Sequence, residues 1–392
     1  MTSIEISTIE IPVSHNCVRV RMIDAECNMT LGSEHFFQPT VPGHEIMYST
    51  DVAFLIENPR LNKKAMFDLG TRKDWWKQPP MITKRLGTFL RYIKVERDVT
   101  EILEAGGIEL QSINDVIWSH YHFDHTGSTY LFPKTTNLIY GPGTTETFLP
   151  PYPENPHSPI GVEHLEGRKC IEVTMETRIG SLPAHDFYGD GSLYLLDTPG
   201  HAVGHICALA RTTPDTFIFM GGDICHFAGD FRPSEDYPMP DPIPEGALYN
   251  NAFLPKPCPC SLFTDHHPRG VKGEQAKKTP WYEISRHKHS SYADPKLASK
   301  TVQSMANFDA RKDILVCLAH ETMLPVHLPI FQKDPDVDLN AWKEKGCKDR
   351  VDWGWLNELP RDEKPGRKDL PQGFYRDGKI WVTAREELGE MD

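Results

Sequence analysis

A layered α/β or α+β architecture is expected of this 392-residue chain on three observations. Short apolar or β-branched runs alternate with segments of helical spacing, which an all-helical chain would not show. Gly, Pro and Asn punctuate the runs, as they do where strands end in tight turns. No stretch approaches the roughly 18 uncharged apolar residues that a membrane-spanning helix requires, so a packed core is expected instead.

The elements follow in order. "CVRVRMI" and "DVAFLI" in the first 60 residues read as strands, and "KAMFDLGTR" as a short apolar strand closing on Asp68 and Gly70. "DVTEILEAGG" has a capping Asp, apolar residues at helical spacing and two terminal glycines, which predicts a helix over about residues 98 to 105. "INDVIWS" is a buried strand, and directly after it comes "HYHFDH", residues 120 to 125. The same grammar recurs three times. "GSLYLLDTPGH" ends at His201, "DTFIFMGGD" at Asp223 and "DILVCLAHE" at His320, so each strand delivers one candidate ligand at its C-terminal end, where rigid scaffolds place chemistry.

Two segments read as decorations. Residues 149 to 168 are rich in Pro and Gly and predict an extended loop. The stretch from 231 to about 295 carries eight prolines between Pro233 and Pro259 and no sustained periodicity, which fits an insertion covering or shaping a pocket. The expected organisation is one domain over 1–335 and a C-terminal extension over 336–392. The extension is highly charged, yet its Trp342, Trp353, Trp355, Tyr375 and Trp381 predict packing against that domain.

Composition narrows the function. Forty-two basic against fifty-five acidic residues leave a formal charge of −13 with no basic stripe, which argues against nucleic acid as a partner and leaves a small-molecule substrate. The nine cysteines are odd in number and scattered, and the opening residues lack the basic start and apolar run of a signal peptide. Reduced thiols, a cytoplasmic location and no membrane insertion are therefore expected.

His120, His122, Asp124 and His125 carry the chemistry. A lone His here would be explained by a polar turn or a helix cap, but three imidazoles and a carboxylate in six positions after an apolar strand need more. Alternation along an extended backbone lets His120 and His122 face one way, and the following turn brings Asp124 and His125 to a second position. That geometry suits two neighbouring ions, and imidazole with carboxylate suits zinc and also Fe, Mn or Ni.

"HYHFDH" resembles the His-x-His-x-Asp-His signature of the metallo-β-lactamase superfamily, and the later strand ends supply the rest of that pattern in order. The "TPGH" and "GGD" that close on His201 and Asp223 look most like its quorum-quenching lactonase branch. The resemblance implies an αββα sandwich of two mixed sheets with helices outside. It also implies that His120, His122 and His201 hold one metal and Asp124, His125 and His320 the other, with Asp223 bridging and Asp68 orienting a ligating His. Two zinc ions are the expected cofactors.

A dinuclear hydrolase opening a cyclic ester or cyclic amide follows, by attack of a metal-bridging hydroxide formed from bound water whose pKa falls far below the bulk value of about 15.7. Asp124 is the candidate acid or base. His226 stands where those lactonases carry a Tyr, three residues after the bridging Asp, and is the candidate replacement. Thioester hydrolysis of the glyoxalase II kind, or a one-iron oxidoreductase like the persulfide dioxygenases, are the alternatives. Cys258 and Cys260 with His266 and His267 make a weak second zinc motif. His287 and His289 read as a solvated loop, and His205 as structural.

Overall fold

The computed structural model describes residues 9–248, 254–361, 366 and 370–388. Two mixed sheets carry the fold. The larger has nine strands, in the order Lys379–Ile380, Gly373–Arg376, Leu90–Val95, Arg19–Gly32, Ile46–Asn58, Lys63–Phe67, Asp115–Ile117, Asn137–Tyr140 and Cys170–Glu172. The smaller has six, in the order Ile314–Cys317, Thr216–Met220, Ile206–Thr213, Leu193–Asp197, Leu182–Asp186 and Thr177–Ile179.

Alternation along the strands decides the layering. Val52, Phe54 and Ile56 pack in one buried cluster with Leu193, Leu195, Ala208, Ala210, Ile218 and Met220, so the two sheets lie face to face. Their neighbours Ala53 and Leu55 point the other way, against Val99, Ile102 and Leu103 of the helix Val99–Ala105. On the far side of the smaller sheet, Leu209, Phe217 and Phe219 meet Ala298, Val302 and Met305 of the helix Pro295–Asp309. The order is thus helix, sheet, sheet, helix, the sandwich that the signature implied. A fully buried Leu or Phe in such layers contributes about 1.5–3 kcal/mol.

Both helices start where their sequence tells them to. Asp98 caps the first in a reciprocal capping box with Glu101. Asp294 caps the second, accepting from the Lys296 and Leu297 amides at 3.0 Å, with Pro295 at the first helical position.

Residues 149–168 are not wholly extended, because a helical turn at Val162–Leu165 buries His164 in them. Within the insertion, Glu283–Ile284 pairs with Phe37–Gln38 and ties the segment to the body, while residues 249–253 lie outside the described residues. Of the C-terminal residues, Trp342, Trp353 and Trp355 are buried, and Gly373–Arg376 runs parallel to Leu90–Val95. Among the described residues no helix is long and apolar enough to cross a membrane.

Strand direction then sets the position of the ionisable tips. Thr216–Met220 and Ile314–Cys317 are parallel, and Leu193–Asp197 lies two antiparallel steps away, so all three end at one edge of the smaller sheet. Lys63–Phe67 and Asp115–Ile117 are likewise parallel in the larger sheet. The Ile206 amide donates to the Ser119 carbonyl at 2.8 Å, and the Val52 amide to the Ala319 carbonyl at 3.0 Å, joining the two sheets at that edge.

Candidate metal centre

Five imidazoles and two carboxylates meet at the joined edge. His120 Nε2 and His122 Nδ1 lie 3.1 and 2.9 Å from His201 Nε2, and Asp223 Oδ2 lies 3.3 Å from the same nitrogen. The other oxygen, Asp223 Oδ1, is 3.1 Å from both His125 Nε2 and His320 Nε2. Asp124 completes that half, with Oδ2 3.6 Å from His320 Nε2 and Oδ1 3.9 Å from His125 Nε2. His120, His122, His201 and Asp223 form one group whose ligand atoms lie within 4.8 Å of one another, as an ion requires; Asp124, His125 and His320 form a second, and Asp223, His226 and His320 a third.

Local structure aims each side chain. Residues 119–122 bend away from the strand Asp115–Ile117, with His122 itself at φ −65° and ψ 154°, and the helical turn Phe123–Thr126 swings Asp124 and His125 round. Gly127 closes that turn at φ +44°, where an added Cβ would lie 2.5 Å from Leu69 Cβ. Gly200 lets His201 sit against the start of the helix Pro295–Asp309, since a Cβ there would lie 2.3 Å from the Ala298 nitrogen. The Ala293 amide donates to the His201 carbonyl at 2.9 Å.

A ring of hydrogen bonds behind the imidazoles fixes their orientation. His125 Nδ1 donates to Asp68 Oδ2 at 2.8 Å, and Asp68 Oδ1 accepts from the Ser119 amide at 2.6 Å. His320 Nδ1 donates to the Thr50 carbonyl at 3.0 Å, with Asp51 Oδ1 3.3 Å away. His120 Nδ1 lies 3.0 Å from Ser119 Oγ. In each case the outer nitrogen is engaged, so the inner one offers its lone pair. His205 takes no place among the ligands: its Nδ1 donates to the Thr198 carbonyl and its Nε2 accepts from the Asp223 amide, both at 3.0 Å.

Electrostatics point to a cation. Burial holds His120, His122 and His201 well below the usual range, helped by neighbouring imidazoles and, at His122, first by the Arg85 guanidinium, so all three are neutral and able to offer a lone pair. Burial also disfavours charge on His125 and His320, but Asp223 outweighs it and holds both well above the usual range. Burial pushes Asp124 up to about 7, while His125, His320 and His226 overcome burial and hold Asp223 well below its usual value. The carboxylates thus retain positive charge at this spot by any means open to them. His125 Nε2 and Asp223 Oδ1 are buried without a hydrogen-bond partner although they face each other, and a cation between them satisfies both. The donor set therefore fits a pair of borderline metal ions.

His226 joins the same cage. Its Nε2 lies 3.1 Å from Asp223 Oδ2, its Nδ1 2.9 Å from the Tyr292 hydroxyl, and its ring stacks on His320 at 5.5 Å. A cleft of about 170 Å³ opens onto the cage, walled by Phe36, Met47, Met81, Phe89 and Phe148, with Asp124, Asp223 and His226 at its floor. His157 and Pro159 from the 149–168 loop and Ser291 from the insertion also face it.

The remaining motifs lie apart. Among the described residues no other trio of His, Cys, Asp or Glu gathers closely enough for an ion: His267 donates to the Thr279 carbonyl, and His287 and His289 are exposed. All nine cysteines are unpaired. Tyr292, Asp51 and Ser119 are contributors that sequence reasoning missed, since each is an ordinary residue whose partner is distant in the chain or is another ligand's outer nitrogen.

Two mixed sheets face to face, with a His/Asp cage where their strand tips meet, define the scaffold of a metallohydrolase. Residues 52–278 match the metallo-beta-lactamase superfamily, and the chain belongs to that superfamily. It is 35% identical to gamma-lactamase FDB1 of Fusarium pseudograminearum, over 97% of this chain and 95% of that protein. It is 36% identical to metallo-hydrolase mfmC of Annulohypoxylon moriforme, over 97% and 94%. The fold also resembles that of B. thuringiensis AiiA crystallised with N-decanoyl-L-homoserine at its active site, with a TM-score of 0.53 at 16% identity over 81% of this chain and 98% of that one.

Proposed function

We propose that the chain is a dinuclear metal-dependent hydrolase that opens a cyclic amide or cyclic ester, with His120, His122 and His201 holding one zinc and Asp124, His125 and His320 the other. The observation that carries this reading is the split of Asp223, whose Oδ2 faces the first group and whose Oδ1 faces the second at 3.1 Å from each of its imidazoles. A single-iron oxidoreductase needs no such bridge. The 35% identity to a named gamma-lactamase over nearly the whole chain supports the cyclic amide as substrate.

The bound ions supply an activated hydroxide near neutral pH and a Lewis acid for the substrate carbonyl. The chain's own groups do the rest. The apolar walls exclude water and hold the ring against the cage. Asp124, on the cleft floor beside His125 and His320, is placed to orient the nucleophile and pass a proton to the departing nitrogen or oxygen. His226, fixed at Nδ1 by Tyr292, presents Nε2 to the same space as a donor for the oxyanion, in the role the lactonases give to Tyr. With this function goes the division into a hydrolase domain over 1–335, which contains every group of the cage, and a C-terminal extension over 336–392.

A screen of γ-lactams, γ-lactones and acyl-glutathione thioesters with zinc-loaded protein tests the proposal. Ring opening is expected from the lactam, read as the amino acid formed, or from the lactone, read as acid release, and Asp223→Ala removes it. His226→Ala is expected to lower kcat on the order of 100-fold with its zinc retained. Turnover of the thioester alone, or oxygen consumption by an iron-loaded form, would overturn the assignment.

A further inference from the structure

The cleft contains one feature that ring opening does not use. Arg85, on the helix Pro80–Phe89, is the single Arg or Lys among its lining residues. The helix buries Thr83 and Gly87, while Met81, Ile82, Arg85, the buried Leu86 and Phe89 line the cleft. Among the described residues no carboxylate lies within ion-pair distance of Arg85. Its guanidinium instead rests 5.8 Å from the centre of the Phe89 ring, one turn on.

A chain with a net charge of −13 has abundant carboxylates to neutralise an exposed Arg, and this one is left unpaired beside an apolar wall. A neutral apolar substrate gains nothing from it. A carboxylate gains two parallel hydrogen bonds from the planar fork, in surroundings less polar than water. In the ring-opening reading the reacting carbonyl is given to the cage, so the group left for Arg85 is one the substrate already carries.

We propose that Arg85 is a specificity-determining residue that anchors a carboxylate carried on the apolar body of the cyclic substrate, while the Asp223 cage receives the ring carbonyl. This rests on the ring-opening reading above. The substrate class is an anionic lactam or lactone with an apolar body, held at two points.

The test compares N-(carboxyphenyl)pyrrolidinone with its methyl ester on zinc-loaded wild type, Arg85→Gln and Arg85→Lys, alongside calorimetric binding of benzoate to each. Arg85→Gln is expected to raise KM for the carboxylate about tenfold, or about 1.4 kcal/mol, with kcat and the ester's KM within twofold. Arg85→Lys is expected to keep part of the preference, and added salt to shrink it. Equal effects of Arg85→Gln on both substrates, or a wild type without preference for the carboxylate, would overturn the anchor. If neither lactam opens yet benzoate binding weakens in Arg85→Gln, the anchor stands and the ring-opening reading falls. If benzoate binding is indifferent to residue 85, the anchor falls.

Discussion

Asp68 shows how much of the cage depends on a residue that is not a ligand. It adopts a left-handed backbone conformation, φ +59°, which costs a non-glycine residue on the order of 1–3 kcal/mol and is typical of functional sites. That conformation lets one carboxylate accept from both the Ser119 amide and His125 Nδ1. The first bond holds the backbone of the signature, and the second fixes which nitrogen of His125 faces inward. Asp68→Asn keeps the shape and removes the charge. Its affinity for the second metal ion is expected to fall about 10–100-fold, read by competition with a chelator, while the His120, His122 and His201 group keeps its ion. Equal loss of both ions would mean that Asp68 organises the whole edge.

At the scale of elements, the sequence disclosed most where a local signal coincided with the global fold. The capped helix Val99–Ala105 and the strands that end before His120, His201, Asp223 and His320 were legible because apolar runs, caps and Gly or Pro stops all agreed. The helix Pro295–Asp309 was not foreseen, although Asp294-Pro295 is a good start, because its buried stripe of Ala298, Val302, Met305 and Ala306 is weakly apolar and interrupted by Lys and Ser. The helix Pro80–Phe89, which carries Arg85, has Ile82, Leu86 and Phe89 at helical spacing, but it is only ten residues long and was not foreseen either. Tyr292 was invisible for a different reason. Its partner His226 is 66 positions away, and the anchoring of the insertion through Glu283–Ile284 and through the Ser291 and Ala293 amides brings them together.

Across the whole molecule, the two sheets must keep their register for the strand tips to meet, and a polar tie far from the cage serves this. Asp190, in the turn between two strands of the smaller sheet, accepts from Asn58 Nδ2 at 3.1 Å and Arg60 Nη2 at 2.8 Å at the end of Ile46–Asn58 in the larger one. It also accepts from the Ser192 amide at 3.0 Å, and its carbonyl accepts from Ser14 Oγ at 2.7 Å. Burial would raise the Asp190 pKa, but Ser192, Arg60 and Asn58 outweigh it and hold it below the usual carboxylate range. Because the folded pKa lies below the unfolded value near 3.9, the stabilisation is present at neutral pH and is lost as pH falls below about 4. Arg60 is half exposed, so its share is small. Asp190→Asn is expected to destabilise by about 1–2 kcal/mol in urea at pH 7, with the difference from wild type shrinking below about pH 4. A gap that persists undiminished at low pH would show that the charge is irrelevant there. The centre proposed for the joined sheet edge is a carboxylate bridging two ion sites, and anomalous diffraction from zinc-loaded crystals tests it most directly. Two peaks about 3.5–4 Å apart are expected, one among His120, His122 and His201 and one among Asp124, His125 and His320, with Asp223 between them. A single peak, or a pair that leaves His201 or His320 uncoordinated, would contradict it.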